Sequence, residues 1–279
     1  LGREYTFDGS ALPEQIESKR EPLLARPVSV SAWVDGREIK WDNGNPRITS
    51  LSQAAADIES RSKGKGPHGD ALLKVKSHVE FDGLVVVDMN LELPDNAKCE
   101  RLSVDIPLRP EAALYWHRWS PNWDGCSGQL ALKRGCLDSV SYIPFAWLGD
   151  NERGLFWFCE SAENWPNWQS EDAFQIIRDD HGVVMRLNLL GSGQTLKKQW
   201  HYQFGLQATP VKSPRPELRK NQLRLAHPWP TPEKDSMSHF GYPEATDPKI
   251  FADRVKAHHA KGLKMLPYSC LSFISRGAP

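Results

Sequence analysis

The chain has 279 residues, enough for one large domain or two. Lysine plus arginine and aspartate plus glutamate both number 35, so the net charge is zero and the positive excess that nucleic-acid binding wants is missing. No run of about 18 apolar residues offers a membrane span, and no basic segment leads into an apolar stretch after Leu1, so any export signal is expected to be already absent.

Residues 1–26 are rich in charge and show no period, so an irregular segment is expected there. Residues 27–34, with Val28, Val30, Ala32 and Val34 in alternation, predict a strand closed by a turn at Asp35-Gly36. Ser50 followed by Leu51, Ala54, Ala55 and Ile58 predicts a short helix over 51–59 with Ser50 as its N-cap. The Gly/Lys-rich stretch 61–69 lacks the spacing of a phosphate-binding loop and reads as an exposed, mobile loop. From 72 to 209 nearly everything reads as strand and turn. Strands are predicted over 72–81, 84–93, 100–108, 112–119, 173–178, 183–190 and 195–208, with a polar loop over 121–135 that contains Trp123. Many short strands without interleaved helices argue for an antiparallel β-sandwich.

Two aromatic-rich runs flank Gly149-Asp150-Asn151-Glu152-Arg153-Gly154, the pattern of a β-hairpin. Alternation on its second strand sends Leu155, Trp157 and Cys159 to one face and Phe156, Phe158 and Glu160 to the other. Both faces are largely apolar, so the strand is expected to lie centrally, with Leu155, Trp157 and Phe158 buried. Of eleven tryptophans, seven fall between Trp116 and Trp168; they either fill the space between two sheets or stack on sugar rings. The five cysteines form no zinc-like spacing, so no metal site and no cofactor are expected. Cys126 and Cys136 are close enough in sequence to be bridged in an oxidising compartment, and Cys159 is expected as a buried thiol.

Residues 210–220 read as a proline-punctuated linker. Beyond it a short strand over 222–226 ends at His227-Pro228-Trp229-Pro230. Asp247-Pro248 opens a helix with Phe251, Val255 and His258 or His259 on its buried stripe, and Gly262 closes it. A second strand follows over 263–268. This is one βαβ unit, too little to bury both faces of its own sheet.

The sequence IPFAWLGDNERGLFWFCESAENW, followed by FGLQATPVKSPRP, resembles glycoside hydrolase family 123, in a match running from about Val79 to the end of the chain. The resemblance implies an antiparallel β-sandwich over 1–209 and the first βαβ unit of a (β/α)₈ barrel over 221–279, the remainder of the barrel lying outside the chain. It implies a periplasmic or extracellular glycosidase that removes N-acetylated hexosamine from glycans. In that family the substrate's acetamido oxygen is the nucleophile, and adjacent Asp and Glu residues on a later barrel strand orient it and supply the acid/base. The acidic doublets here, Glu171-Asp172 and Asp179-Asp180, lie at turns of the sandwich region, so no catalytic residue is assigned and this fragment alone is expected to be inactive. At the C-terminal ends of the barrel strands, His227, Trp229 and Tyr268 are the candidates for contacting a glycan substrate. Asp150, Glu152, Arg153 and Glu160 are the candidates for docking the sandwich on the barrel, with a cation site at the hairpin as the competing reading. Two other readings stay open: a non-catalytic carbohydrate-binding module, and a sandwich with no ligand.

Overall fold

The computed structural model describes residues 2–66, 68–121, 125–194, 196, 198–212, 225–226 and 248–265. The chain divides into two compact units, Leu1–Ser213 and Pro214–Pro279. In the first, β1 (Arg3–Asp8), β2 (Leu12–Ser18) and β3 (Glu21–Pro22) form a three-stranded antiparallel sheet. The next strands are β4 (Ser29–Val34), β5 (Arg37–Glu38), β6 (Trp41–Asn43), β7 (Arg47–Leu51), β8 (Ala55–Gly66) and β9 (Gly69–Glu80). There follow β10 (Leu84–Glu92), β11 (Cys99–Leu108), β12 (Tyr115–Arg118), β13 (Ser127–Gln129) and β14 (Gly135–Val140). The unit ends with β15 (Phe145–Gly149), β16 (Gly154–Phe158), β17 (Phe174–Arg178), β18 (Val183–Leu190) and β19 (Gln199–Thr209).

These strands build a ten-stranded sheet in the order β13-β12-β15-β16-β19-β10-β9-β8-β6, with β7 also on β8, and a six-stranded sheet in the order β14-β17-β18-β11-β4-β5. Every pairing in both sheets is antiparallel. Burial alternates along β10, where Val85, Val87, Met89 and Leu91 enter the core, as period-2 geometry requires of a sheet with one dry face. Val104 and Ile106 of β11 and Met185 and Leu187 of β18 belong to the same core cluster.

A seam of aromatic rings joins the two sheets. Trp157 of β16 stacks on Phe174 of β17 at 5.4 Å and meets Trp165 edge-on at 6.3 Å. Trp165 in turn meets Tyr202 of β19 edge-on and donates its indole N–H to the Asn188 carbonyl at 2.7 Å.

Three sequence expectations are corrected here. Residues 1–26 are not irregular: β1–β3 bury Leu12, Ile16, Leu23 and Leu24, and Ser18 donates to the Thr209 carbonyl at 2.8 Å. Residues 51–59 are not helical. Ser52 Oγ accepts the N–H groups of Ala54 and Ala55, as a cap would, but in a turn between β7 and β8. The long register of β8 on β9, from Ala55↔Glu80 to Gly66↔Gly69, outweighs a weak local helical preference. The same register turns the expected loop at 61–69 into strand up to Gly66 and again from Gly69.

Phe158 is half-buried rather than buried, while Leu155 and Trp157 are fully enclosed. Cys126 and Cys136 are not disulfide-bonded. Cys159 is a buried thiol whose pKa burial raises, and burial pushes Cys99 up to about 12.

In the second unit, β20 (Leu225–Ala226) pairs in parallel with β21 (Lys264–Met265), and α1 (Pro248–His259) lies between them in sequence. Phe251, Val255 and His258 share a half-buried stripe, His259 is exposed, and Gly262 ends the helical segment at φ 70°. Asp247, the expected N-cap, lies outside the described residues.

Trp157 Nε1 has no hydrogen-bond partner among the described residues. Because its side chain is completely buried, Trp157→Ala should cost about 3–5 kcal/mol of unfolding free energy. Trp157→Phe should cost much less, because it keeps the stack on Phe174 and removes an orphaned donor. Urea denaturation of the two variants checks this ordering.

Candidate functional site

The outer face of the ten-stranded sheet is set by strand parity. With Leu155 and Trp157 turned inward, Phe156 and Phe158 must point out. Register then places Phe145 beside Phe158, Trp147 beside Phe156 and His117 beside Trp147. The Phe145 and Phe156 rings stack at 5.6 Å, Phe156 and Phe158 lie 5.8 Å apart, and His117 tilts against Phe145 at 5.8 Å. All four are half-buried, so they form an aromatic platform with exposed ring surface.

Glycines make the platform low. A Cβ at Gly205 would come within 2.1 Å of the Phe158 ring, and one at Gly149 within 2.1 Å of the Trp147 indole. A Cβ at Gly154 would come within 2.6 Å of Trp147 Nε1 and of the Leu148 carbonyl. Neither hairpin glycine has a positive φ, the unusual backbone angle expected of them, so both are there because an indole crosses them. That indole donates to Thr209 Oγ1 at 3.0 Å.

Beyond Gly205 the face turns polar. His201 Nε2 lies 2.8 Å from Asp88 Oδ2, and Asn90 Nδ2 donates to Asp88 Oδ1 at 2.8 Å. On the next strands, His78 Nδ1 meets Asp57 Oδ1 at 2.7 Å, and Lys76 lies 3.5 Å from the same carboxylate. At this end an open groove of about 750 Å³ is lined by Arg47, Glu59, Arg61, Lys76, Asp88 and Asn90 among others. Aromatic π faces beside planar amides, carboxylates and guanidinium groups suit a polyhydroxylated ligand whose ring carries apolar C–H faces. No group of three His, Cys, Asp or Glu side chains able to hold a metal occurs among the described residues, and no helix there is long and apolar enough to cross a membrane.

The residues singled out from the sequence fare differently. His227, Trp229 and Tyr268 lie outside the described residues. Asp150 Oδ1 accepts the N–H groups of Glu152 and Arg153 at 2.7 and 2.8 Å, which closes the hairpin turn. The Arg153 side chain, 13% exposed, lies 3.3 Å from Asp150 and 3.5 Å from Glu21, and Glu152 pairs with Lys19. Within the first unit these groups therefore tie the hairpin to the N-terminal sheet. Glu160 is exposed just past β16. Alternation set Phe156 and Phe158 on the face opposite Trp157, but that face was expected to be covered and Phe158 buried, and the neighbours Gln207, Gly205 and His201 depend on the non-local pairing of β16 and β10 with β19.

A family model described as glycoside hydrolase 123, third domain, matches residues 1–163, extending the resemblance upstream of Val79. No curated protein matches the chain. A galactose mutarotase related enzyme from Lactobacillus acidophilus is 10% identical, with 73% of this chain and 93% of that chain covered at a TM-score of 0.42. A galactose mutarotase-like protein from Lactobacillus casei is 10% identical, with 72% and 94% covered at 0.45. Likenesses this distant carry no argument about activity.

The hydrogen bond from His78 holds Asp57 below the ordinary carboxylate value of 3.8, against a smaller opposing push from desolvation and with further help from Lys76. Because the folded value is the lower one, the stability it contributes is full above about pH 4 and is lost as pH falls through the folded value. A carbon-13 titration of Asp57 should show a midpoint below 3.8 that rises in His78→Ala. A midpoint indifferent to that substitution would remove His78 as the cause.

Proposed function

The chain belongs to the glycoside hydrolase 123 third-domain family, and from that premise we propose that its sandwich is the glycan-handling domain of a glycoside hydrolase, seating a saccharide on the platform of Phe145, Phe156 and Phe158. The observation that carries this reading is the family match over residues 1–163. The platform supplies the place, since its stacked rings border the hydrogen-bonding groups of Gln207, His201, Asp88 and Asn90.

The finer reading concerns the whole enzyme. We take it to be a retaining N-acetyl-β-hexosaminidase that uses substrate assistance, its carboxylate pair lying outside residues 1–279. The parallel pair β20–β21 with α1 between them supports reading the second unit as the opening of a (β/α)₈ barrel. Export to the periplasm or beyond fits a glycan-processing role and is part of the same proposal.

The test is calorimetric. Chain 1–279 titrated with N-acetylhexosamine oligosaccharides should bind, and Phe156→Ala should weaken that binding at least tenfold at unchanged melting temperature. Equal affinity in wild type and variant would overturn the platform as the contact surface. The same purified chain should release no aryl group from an aryl N-acetyl-β-hexosaminide; turnover lost on replacing one of its own carboxylates would overturn the assignment of the chemistry elsewhere.

A further inference from the structure

The opposite outer face of the sandwich, on the six-stranded sheet, carries a groove of about 440 Å³ that the platform does not explain. Its floor is low because the register sets two serines side by side, Ser31 on β4 against Ser103 on β11, with Asn188 on β18 next in the same row. One wall is Trp33, 37% exposed, with the Arg101 guanidinium 5.7 Å from the centre of its ring. The other wall is Arg186, held by Asp105 through two hydrogen bonds of 2.7 Å.

The polar groups of this groove are oriented by one another. Asn188 Nδ2 donates to the Asp172 carbonyl at 2.6 Å and to Gln175 Oε1 at 3.0 Å, which turns its own Oδ1 into the remaining acceptor. Asp172 Oδ1 accepts from Asn167 Nδ2 at 3.0 Å and Ser170 Oγ at 2.6 Å, which locks that carboxylate. A side chain already held by its neighbours loses little further freedom when it takes up a ligand.

The charges choose the ligand class. Arg186 is neutralised by Asp105, and the remaining Arg101 faces Glu38 and Asp172 along the same lining. A polyanion would meet carboxylates here, and an apolar peptide would leave amide, hydroxyl and guanidinium groups unpaired. A ring with apolar C–H faces and several hydroxyls fits an indole wall, a serine floor and planar donors and acceptors.

We infer that the groove between Trp33 and Asn188 on the six-stranded sheet is a second saccharide site, specific for a neutral oligosaccharide and independent of the platform on the other sheet. It rests on the glycan reading only for the class of its ligand. A domain with two such sites holds a polysaccharide at two points, which raises its effective affinity without any stronger single contact.

Chain 1–279 is to be titrated with chitotetraose and cellotetraose, with heparin as the charged control, while the side-chain NH₂ signals of Asn188 and Gln175 are followed by NMR. These signals should shift with a neutral tetrasaccharide and not with heparin. Trp33→Ala should weaken the shift at least tenfold, Trp33→Tyr should keep it within about threefold, and Phe156→Ala should leave it unchanged. Ser103→Tyr, which fills the floor and removes no wall, should abolish it and covers the case in which Trp33→Ala misfolds. The inference is overturned if neither tetrasaccharide moves these signals, if heparin alone does, or if Phe156→Ala removes the response. Equal calorimetric affinity in wild type and Phe156→Ala, with the Asn188 response intact, would sink the platform reading and leave this one standing.

Discussion

The stack of Trp157 on Phe174 is the contact on which the rest of the first unit depends. It spans the two sheets at one point, with ring centres 5.4 Å apart, and it is wedged from the side by Trp165. An indole is among the largest groups that fit between sheets about 10 Å apart. Once Trp157 is inside, parity leaves no choice for Phe156 and Phe158, which must stand on the other face. The aromatic platform is thus a consequence of the core, and glycines at 149, 154 and 205 let its rings and the Trp147 indole lie against the backbone.

Much of the sandwich was legible because alternation is a local property that burial enforces. The runs that became β9, β10, β11, β16, β17 and β18 all show it, and their limits differ from the expected ones by a few residues. What escaped was structure held by distant partners. In 1–26, Leu12, Ile16, Leu23 and Leu24 are too sparse to show a period, yet all are buried. In 51–59, an alanine run with a serine before it reads as a capped helix, and only the pairing with β9 makes it a strand.

The candidate site was half legible for the same reason. Tryptophan density left core filling and sugar stacking both open; Trp157, Trp165 and Trp200 are core residues, Trp33, Trp119 and Trp168 keep exposed ring surface, and the platform itself is built of Phe145, Phe156 and Phe158. Composition counts rings, whereas parity decides which of them face water. The polar halves of both sites are assembled from strands far apart in sequence, as with Ser31, Ser103 and Asn188, and no local pattern announces such a row.

The hairpin at 149–154 shows how charge and packing divide the work of holding the N-terminal sheet. Glu152 reaches Lys19, and Arg153 sits near Glu21, so both ends of the β2–β3 turn meet the hairpin through ions. Lys19 and Glu152 are solvent-exposed, and such pairs contribute about 0–1 kcal/mol each. Leu12, Ile16, Leu23 and Leu24 are enclosed almost completely, and each buried side chain of that size is worth about 1.5–3 kcal/mol. Apolar burial therefore attaches the sheet, while the ion pairs and the bonds from Ser18 to Thr209 and from Arg3 to Pro210 set where it lands. That landing point lies beside the end of β19, on the strand that joins the platform to its polar border. The N-terminal segment thus braces the central strand of the ten-stranded sheet, although its own sequence gave little sign of order.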